Sequence, residues 1–228
     1  IQRDFASADG NGYIVLPPQV LNAGNYGVPE SRERVIFIGI RKDALREEAK
    51  QALTAENIPE EFNPYPHPTH AGDIKGDGLL QKVTTYDVLK DLPEPADAID
   101  PSQSIYSKAK FQTNGSQGQT EIKLDGLGPT IRSEHHGNIE FRRLSAEHGG
   151  KHMVELNSGM QERRLTPREC ALIQTFPPDY RFVMPYDGRK YRLSSSGAYK
   201  VIGNAVPPVL AFNIAMRLQE LWDKYFID

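Results

Sequence analysis

The apolar run Val35–Ile40, VIFIGI, constrains the fold of this chain more than any other stretch. A short continuous apolar run is typical of a strand that is buried on both faces of a sheet. Upstream, Tyr13–Asn22 is rich in β-forming residues but contains the pair Pro17-Pro18, which predicts a strand with an irregular middle or an edge strand. Turn residues over Gly24–Pro29 separate the two stretches. Together they predict a strand–loop–strand unit at the end of a larger sheet.

The region after this unit has few periodic segments. Asp43 is predicted to cap a helix that runs to about Glu56, and Thr84 or Thr85 to cap a short helix. Residues 57–83 are rich in Pro, Gly and His without a clear period, which predicts a crossing segment on the surface. Residues 96–160 are rich in glycine with short β-like pieces between, which predicts a small irregular β domain.

Two helix starts near the C-terminus have specific signals. Thr166–Glu169, TPRE, combines Thr at the N-cap, Pro at N1 and Glu at N3, which is a capping box. Pro207-Pro208 opens a predicted long amphipathic helix that ends near Tyr225. Its apolar stripe, which needs a partner surface, comprises Leu210, Ile214, Leu218, Leu221 and Trp222.

The composition of the chain bears on where in the cell the protein acts. No run of about 18 apolar residues is present, so no membrane span is expected. No charged-then-apolar leader opens the chain, and the single cysteine, Cys170, fits a reducing cytoplasm. Because the sequence begins with Ile1, we expect a fragment or part of a longer protein.

Charge is distributed unevenly along a chain whose net charge is −3. Residues 1–105 carry 10 Lys/Arg against 17 Asp/Glu, whereas residues 106–228 carry 17 against 13. Positive charge that can neutralise phosphates is therefore available in the second half. Ordinary surface variation explains the same asymmetry.

Three stretches occur in an order that resembles a known family. They are Gly27–Arg34 (GVPESRER), Arg163–Phe176 (RRLTPRECALIQTF) and Gly197–Leu210 (GAYKVIGNAVPPVL). These are similar to the Q-x-R-x-R, R-x-L-T-x-R-E and Y-K-x-x-G-N C-terminal motifs of the DNA (cytosine-5)-methyltransferases. The resemblance covers nearly the whole chain. The upstream motifs of the family, F-x-G-x-G, a Pro-Cys loop and Glu-Asn-Val, are not found in this sequence.

The resemblance implies an α/β fold: the C-terminal portion of a Rossmann-like methyltransferase domain with an inserted, small, β-rich target-recognition domain. Residues 1–56 would form the last strands of the catalytic domain. Residues 57–192 would form the target-recognition domain with its connecting segments. Residues 193–228 would form a C-terminal helix that returns to the catalytic domain.

Catalytic roles follow only by resemblance. The family adds a cysteine thiolate to carbon 6 of cytosine, and a guanidinium at the 2-oxo group stabilises the charge that develops on the ring. Arg34 matches that guanidinium, and Arg32 matches a neighbouring site-organising or backbone contact. Glu30 stands where the family usually has Gln. Without this context, two arginines before a strand are solvated surface.

Gly126–Arg143 resembles the centre of a recognition region that contacts DNA and a base flipped out of the duplex. The residues expected to contact DNA are Thr130, Ile131, Arg132, Ser133, His136, Asn138 and Arg142, and His135 and Arg143 are further candidate donors. A metal site at His135-His136 is disfavoured because adjacent histidines rarely bind one ion. A purely structural role for the pair stays open.

The cofactor implied by the resemblance is S-adenosyl-L-methionine. Asn204, Ala205 and Val206 are expected near its amino-acid end, where a helix N-terminus offers free N–H groups to a carboxylate. Cys170 lies inside a predicted helix and is expected to be a small core residue, since the family's nucleophile lies far upstream.

The sequence therefore predicts the C-terminal part of a bacterial cytoplasmic DNA (cytosine-5)-methyltransferase. This chain lacks the family's nucleophile, so we expect it to be inactive without the N-terminal half. Its partners would be double-stranded DNA and the N-terminal half of the enzyme, from the same gene or a separate subunit, in a restriction–modification system. Two alternatives remain: a sequence-specific DNA-binding module without catalysis, and an RNA cytosine methyltransferase.

Overall fold

The computed structural model of the chain describes residues 2–8, 10–113, 115, 117–133, 139–186 and 190–227, which form a mixed α/β structure of short elements. The helices are α1 (Gln2–Ala6), α2 (Glu47–Thr54), α3 (Thr85–Leu89), α4 (Pro101–Ser104), α5 (Met153–Asn157), α6 (Pro167–Ile173), α7 (Ser195–Asn204), α8 (Pro208–Glu220) and α9 (Trp222–Tyr225). The strands are β1 (Tyr13–Val15), β2 (Gln19–Asn22), β3 (Glu33–Ile36), β4 (Gly39–Arg41), β5 (His70–Ala71), β6 (Leu80–Gln81), β7 (Phe141–Arg143), β8 (Arg163–Arg164), β9 (Met184–Tyr186) and β10 (Lys190–Leu193).

The first four strands form one antiparallel hairpin in two pieces. β2 pairs with β3, so that Val20 lies opposite Val35, and β1 pairs with β4. Between the pieces, the Leu16 N–H donates to the Ile38 carbonyl at 3.0 Å. The predicted strand–loop–strand unit is confirmed, and so is the irregular middle at the proline pair, because proline cannot donate to the ladder.

The predicted burial of Val35–Ile40 on both faces is wrong. Ile36 packs towards α8, and Ile38 and Ile40 are buried. Val35 and Phe37 alternate with them along the strand and are 55% and 43% exposed. Within the described part of the chain, the hairpin therefore has one covered face and one apolar face without a covering layer.

The predicted helix cap at Asp43 is also wrong. The chain makes a short 3-10 turn at Lys42–Ala44, and α2 begins only at Glu47. The Asp43 carboxylate instead accepts hydrogen bonds from Arg41 Nε (3.0 Å) and Asn11 Nδ2 (2.8 Å). Asp43 therefore stabilises the open end of the hairpin, where β1 begins and β4 ends.

The buried apolar residues form one cluster in the middle of the chain and two clusters that join its N-terminal and C-terminal parts. The middle cluster surrounds α6 and α7 and contains Leu89, Ile122, Ile131, Ile139, Leu165, Cys170, Ala171, Ile173, Phe182, Val183, Ala198, Tyr199 and Ile202. Two further clusters join the hairpin and α2 to α8 and α9 through residues such as Leu21, Leu45, Leu210 and Tyr225. α7 thus packs with the middle of the chain, and α8 and α9 pack on the N-terminal strands. The chain passes from the middle cluster to the clusters of the N-terminal strands at residues 205–207.

The middle of the chain has less strand than a β-rich prediction suggests. β5–β6, β7–β8 and β9–β10 are separate two-stranded pairs, and α4 and α5 lie between them in sequence. A parallel bridge joins Glu121 to Phe141, which places these two segments of the glycine-rich region side by side.

The terminal helix is shorter than predicted. α8 ends at Glu220 and α9 follows after Leu221, which is buried, whereas Trp222 is half-exposed. Taken as one stretch, Ser195–Glu220 is long and apolar enough to cross a membrane. This stretch comprises two helices, and buried Tyr199 and Leu210 belong to different clusters within the protein.

The predicted capping box of α6 is confirmed. The Thr166 hydroxyl accepts from the Glu169 N–H (3.0 Å), and the Glu169 carboxylate accepts from the Thr166 N–H (2.9 Å). The same hydroxyl donates to Gln103 Oε1 at 2.5 Å. Thr84 and Asp87 form a second box at α3.

We expect Thr166→Ala to lower the free energy of unfolding by about 1–2 kcal/mol, because the helix loses its cap and buried Gln103 loses a partner. Thr166→Ser keeps the hydroxyl and is the matched control, with a loss of less than about 1 kcal/mol. Urea unfolding followed by circular dichroism measures both. Equal losses for the two variants would show that the hydroxyl contributes nothing.

Candidate functional site

The candidate site is built around Arg32, whose side chain is almost fully buried between three segments. Its Nη1 donates to the Ile131 carbonyl at 2.9 Å. Its Nη2 donates to the Gly203 carbonyl at 2.7 Å and to the Ala205 carbonyl at 2.9 Å. One guanidinium therefore joins the start of β3, the segment around Ile131 and the end of α7.

Glu30 completes this junction from the same loop. Its Oε1 accepts from the Ile131 N–H at 2.6 Å and from Arg32 Nη1 at 3.4 Å. Its Oε2 is buried without a partner among the described residues. Burial raises the pKa of Glu30 to about 7, although Arg32 and the Ile131 N–H oppose the shift. The carboxyl group is therefore protonated in about half of the molecules at pH 7.

The segment 128–133 runs alongside residues 29–32. The Gly128 N–H donates to the Pro29 carbonyl, and the Ser31 N–H donates to the Gly128 carbonyl, both at 2.9 Å. The Thr130 hydroxyl donates to the Ser31 carbonyl at 2.6 Å. These bonds set the register between the two segments that the sequence separates by about a hundred residues.

Gly203 permits the close approach of this segment to α7. A Cβ atom at Gly203 would lie 2.1 Å from the carbonyl carbon of Arg132 and 2.3 Å from the Ser133 nitrogen. Both are backbone atoms, which have no rotamer to change. Only glycine therefore fits at this point of contact.

Asn204 and its neighbours lie where α7 ends. Asn204 is the last residue of the helix and is exposed, Ala205 is half-buried, and Val206 is 49% exposed. The Arg32 guanidinium binds the carbonyls on either side of Asn204. The amide side chain is thus held at the surface beside a fixed backbone.

The predicted free N–H groups at the start of the last helix are wrong in part. Pro207 is the N-cap of α8 and Pro208 is its first residue, and neither has an N–H. The Val209 N–H donates to the Thr175 hydroxyl at 3.1 Å. Thr175 has a positive φ of 64°. The first turn of α8 therefore offers a carboxylate fewer donors than an ordinary helix N-terminus.

Arg34 lies on the same face of β3 as Arg32, two residues further along the strand. Its side chain is half-buried, and its Nη1 donates to the carbonyl of Glu33 at 2.6 Å. Unlike Arg32, it makes no hydrogen bond to the end of α7 among the described residues; its bond is within its own strand. Its guanidinium is therefore freer to bind a ligand than that of Arg32.

The profile of the C-5 cytosine-specific DNA methylase family matches residues 5–220. The chain belongs to this family. Its similarity to curated relatives points the same way. The chain is 33% identical to the type II methyltransferase M.BsuRI of Bacillus subtilis over 94% of this chain and 43% of that protein.

Two further relatives give the same picture. M.BspRI of Lysinibacillus sphaericus is 32% identical, with 100% of this chain and 48% of the relative covered. M.MthTI of Methanothermobacter thermautotrophicus is 29% identical, with 89% and 55% covered. The chain thus spans about half the length of the curated relatives that it matches.

A solved structure shares the fold. A DNA modification methyltransferase encoded within an Escherichia coli prophage matches with a TM-score of 0.54 and 19% identity, over 97% of this chain and 64% of that chain. This likeness supports a methyltransferase fold for the chain and carries no information on its substrate.

The residues expected to contact DNA divide into three groups. Thr130 and Ser133 are half-buried in segment 128–133, and half-buried Arg132 donates to Gln117 Oε1 at 2.9 Å. His135, His136 and Asn138 lie outside the described residues. Among the residues that the structure describes, no group of three or more His, Cys, Asp or Glu side chains is arranged to hold a metal ion.

Ile131 and Arg142, two of the residues expected to contact DNA, are both buried. Ile131 is buried in the middle cluster. The Arg142 guanidinium is buried, and its Nη2 donates to Glu155 Oε1 at 2.6 Å. An arginine held in this way must leave its carboxylate before it can reach a phosphate. In this conformation, neither side chain is presented to a ligand.

Sequence analysis missed an ionic network beside Arg142. Glu94 accepts from both Arg143 (2.7 Å) and Arg163 (3.0 Å), and Arg163 also donates to Glu169 at 2.8 Å. Burial raises the pKa of Glu94, but hydrogen bonds from the two arginines outweigh it and hold the pKa at about 2. The arginine pairs at 142–143 and 163–164 are the sequence signal for this network, although the sequence does not show which carboxylates pair with them.

Cys170 lies within α6 and is fully buried. Burial raises the pKa of its thiol well above the ordinary value, which disfavours the reactive thiolate. The expectation of a core role is confirmed by this placement.

The residues present fit S-adenosylmethionine in part. Asn204 offers an exposed amide and Val206 an exposed apolar side chain at the end of α7. The backbone donors expected from α8 are largely absent or used, since Val209 binds Thr175. These residues can form one wall of a cofactor pocket and do not enclose one among the described residues.

Glu30→Gln should change how stability depends on pH. Because the folded-state pKa of Glu30 is raised from 4.5 to about 7, the folded protein holds a proton that the unfolded chain loses, and its free energy of unfolding falls as pH rises between these values. Gln stays neutral and still accepts from the Ile131 N–H. We expect the variant to match the wild type near pH 4.5 and to exceed it at pH 8, by up to about 3 kcal/mol.

Denaturant titrations at the two pH values test this. Glu33→Gln, an exposed glutamate three residues along, is the control and should shift stability equally at both. A Glu30→Gln difference that is the same at pH 4.5 and pH 8 would contradict a neutral Glu30.

Arg32→Lys and Arg34→Lys should differ in stability. A lysine at position 32 carries one ammonium group and loses the planar fork that reaches three carbonyls, which we expect to cost about 2–4 kcal/mol. The same exchange at Arg34 removes one local bond at the surface and should cost less than about 0.5 kcal/mol. Thermal unfolding of the two variants measures the difference. Equal melting temperatures would show that the Arg32 contacts do not hold the junction together.

Proposed function

We propose that this chain is the recognition and cofactor-side part of a DNA (cytosine-5)-methyltransferase. It would bind a specific duplex sequence and help transfer a methyl group to carbon 5 of a cytosine flipped out of the helix. The remaining part, including the nucleophile, would come from an N-terminal half that is either continuous with this chain or a separate subunit.

One observation carries the proposal. The Arg32 side chain bonds the segment around Ile131 and the carbonyls on both sides of Asn204 at 2.7–2.9 Å. The resemblance assigns these three segments to base binding, DNA recognition and cofactor binding. The three segments to which the resemblance gives these roles therefore meet around one buried guanidinium.

Arg34 is the proposed catalytic residue of this chain. Addition of a thiolate to carbon 6 places negative charge on the cytosine ring, and a guanidinium at the 2-oxo group stabilises that charge. Arg34 lies beside the junction with its guanidinium half-exposed, whereas both terminal nitrogens of Arg32 bind carbonyls, so that Arg32 serves as a positioning residue. Buried Cys170 supplies no thiolate, so the nucleophile belongs to the other half.

The DNA contacts proposed for this chain are Thr130, Arg132, Ser133, His136 and Asn138. Hydroxyl, guanidinium and amide groups suit phosphates and base edges. Ile131 anchors the segment from inside the middle cluster, and Arg142 takes part only if it leaves Glu155.

S-adenosylmethionine supplies the methyl group when it is bound. The chain's own part is to hold Asn204, Ala205 and Val206 as one wall near the amino-acid end of the cofactor. Arg32 fixes their position through the Gly203 and Ala205 carbonyls. By likeness to type II enzymes, we place the protein in a cytoplasmic restriction–modification system, without a membrane partner.

Methyl transfer assays test the proposal with duplex DNA and labelled cofactor. The isolated chain should transfer no methyl group, and adding the half of M.BsuRI that this chain does not match should restore transfer. Arg34→Ala should lower kcat by about 10²–10³, the usual loss when a charge-stabilising donor is removed.

Arg41→Ala is the matched control, because Arg41 is an exposed arginine on β4 that pairs with Asp43. Methyl transfer by the isolated chain would overturn the need for a second half. Specific DNA binding without transfer in the combined sample would instead indicate a recognition module, and preference for tRNA over duplex DNA would indicate an RNA enzyme.

A further inference from the structure

Glu30, Arg32 and Arg34 form a row on one face of the extended chain that leads into β3. Their side chains are buried, buried and half-buried, whereas Ser31 and Glu33 between them are exposed. Alternate residues of an extended chain point to the same side, and two residues advance the chain by about 6.6 Å. One carboxyl group therefore lies on the same inner face as two guanidinium groups.

The Glu30 carboxyl group is enclosed away from water. Glu30 is fully buried, and its Oε1 accepts from the Ile131 N–H at 2.6 Å. Its Oε2 has no donor among the described residues. A carboxylate at this place would carry negative charge on a buried oxygen without a hydrogen bond, which is costly. Glu30 therefore keeps its proton to a higher pH than an exposed glutamate does.

The two arginines compensate this carboxyl group only in part. Arg32 Nη1 lies 3.4 Å from Glu30 Oε1 and donates to the Ile131 carbonyl at 2.9 Å. The other terminal nitrogen of Arg32 binds two carbonyls at the end of α7. Arg34 donates to the Glu33 carbonyl and forms no ion pair among the described residues. The charge of Arg34 is therefore available to a ligand.

The other groups that face Glu30 do not change charge near neutral pH. Burial raises the pKa of Glu30 to about 7, although Arg32, a backbone N–H and Arg34 lower it. Cys170 of α6 stays a neutral thiol, because burial raises its pKa well above the ordinary value. Arg132, on segment 128–133, donates to a glutamine of another loop, and the last two residues of α7 are not titratable.

The proton on Glu30 therefore sets the net charge of the row. The row carries two positive charges when Glu30 is neutral and a net charge of one when Glu30 is a carboxylate. At an effective dielectric constant of about 20, one unit charge at about 10 Å changes a binding constant on the order of tenfold. Loss of the proton should weaken the attraction of Arg34 for negative charge to that extent.

We propose that Glu30 is a positioning residue that acts through Arg34, and that methyl transfer requires the Glu30 carboxyl group to be protonated. In the neutral form, Arg34 meets the negative charge on the cytosine ring without competition from a carboxylate on the same face. Release of the proton to water leaves a carboxylate that attracts the Arg34 guanidinium and reduces its stabilisation of the ring. The inference rests on the proposed function, in which Arg34 is the catalytic residue.

Carbon-13 NMR of the chain tests the coupling between the two side chains. The Glu30 carboxyl signal, assigned by its loss in Glu30→Gln, should titrate with a midpoint near pH 7. Arg34→Gln should raise this midpoint by about 0.5–1 pH unit, because a nearby positive charge is lost. Arg41→Gln, at an exposed arginine of β4, is the matched control and should leave it unchanged. A midpoint near the ordinary value of 4.5, or one that Arg34→Gln does not move, overturns the proposal.

Methyl transfer tests the role of the proton. The chain is combined with the half of M.BsuRI that it does not match, and kcat is measured at pH 6 and pH 8 on a long duplex of mixed sequence. The ratio of the wild-type kcat to that of Glu30→Gln should fall about tenfold between these pH values, because the protonated fraction falls from about nine-tenths to about one-tenth. The ratio removes the titration of groups that both proteins share. Glu33→Gln, at an exposed glutamate of β3, should give a constant ratio.

The outcomes separate this inference from the proposed function. Restored transfer with a constant Glu30→Gln ratio would leave the function standing and overturn the inference. No transfer at either pH, with a Glu30 midpoint near 7 that responds to Arg34→Gln, would refute the function and support the coupling of the two side chains. A ratio that rises with pH would show that the carboxylate is the active form, which also overturns the inference.

Discussion

The site depends on how one buried positive charge is compensated. The Arg32 guanidinium is removed from water, which is costly unless hydrogen bonds replace its hydration. Three carbonyl groups do so at 2.7–2.9 Å, and two of them, from Gly203 and Ala205, belong to the end of α7. Carbonyls at a helix C-terminus have no intrahelical partners and carry partial negative charge, so each side satisfies the other.

Arginine–carbonyl bonds serve the same purpose in the middle of the chain, where strands are short. Arg164 Nε donates to the Ala109 carbonyl at 2.7 Å, and its Nη1 donates to the Gly118 carbonyl at 2.6 Å and to the Ile139 carbonyl. Arg143 and Arg163 share Glu94 nearby. Buried ion pairs add little net stability, but removing one partner leaves an unpaired charge. The network therefore fixes loop geometry more than it raises the free energy of unfolding.

Local signals in the sequence were sufficient wherever the structure is decided locally. The capping box at Thr166 depends on four consecutive residues, and it forms as predicted. Arg142 shows the limit, because a surface arginine and one paired with Glu155 look alike in sequence. The prediction that Val35–Ile40 is buried on both faces fails for a related reason. Apolarity indicates that a residue is suited to burial, but it does not show whether the covering layer lies within the same chain. The prediction of free N–H groups at the start of α8 fails because the two prolines have no N–H and the Val209 N–H donates to the Thr175 hydroxyl.

β3 connects the Arg32 junction to the exposed apolar face of the hairpin. Arg32 precedes it, Arg34 lies on its inner face, and Val35 lies on its outer face, so any layer that packs on Val35 presses on the strand that carries both arginines. Arg32 is held from the other side by α7, which leaves little freedom for the start of the strand. Arg34 has only a local bond to Glu33, and its position therefore follows the strand itself. The catalytic role proposed for Arg34 requires its guanidinium to be positioned to within about 0.5 Å. Covering the outer face would supply that rigidity, because a packed three-layer sheet is far stiffer than a hairpin with one bare side.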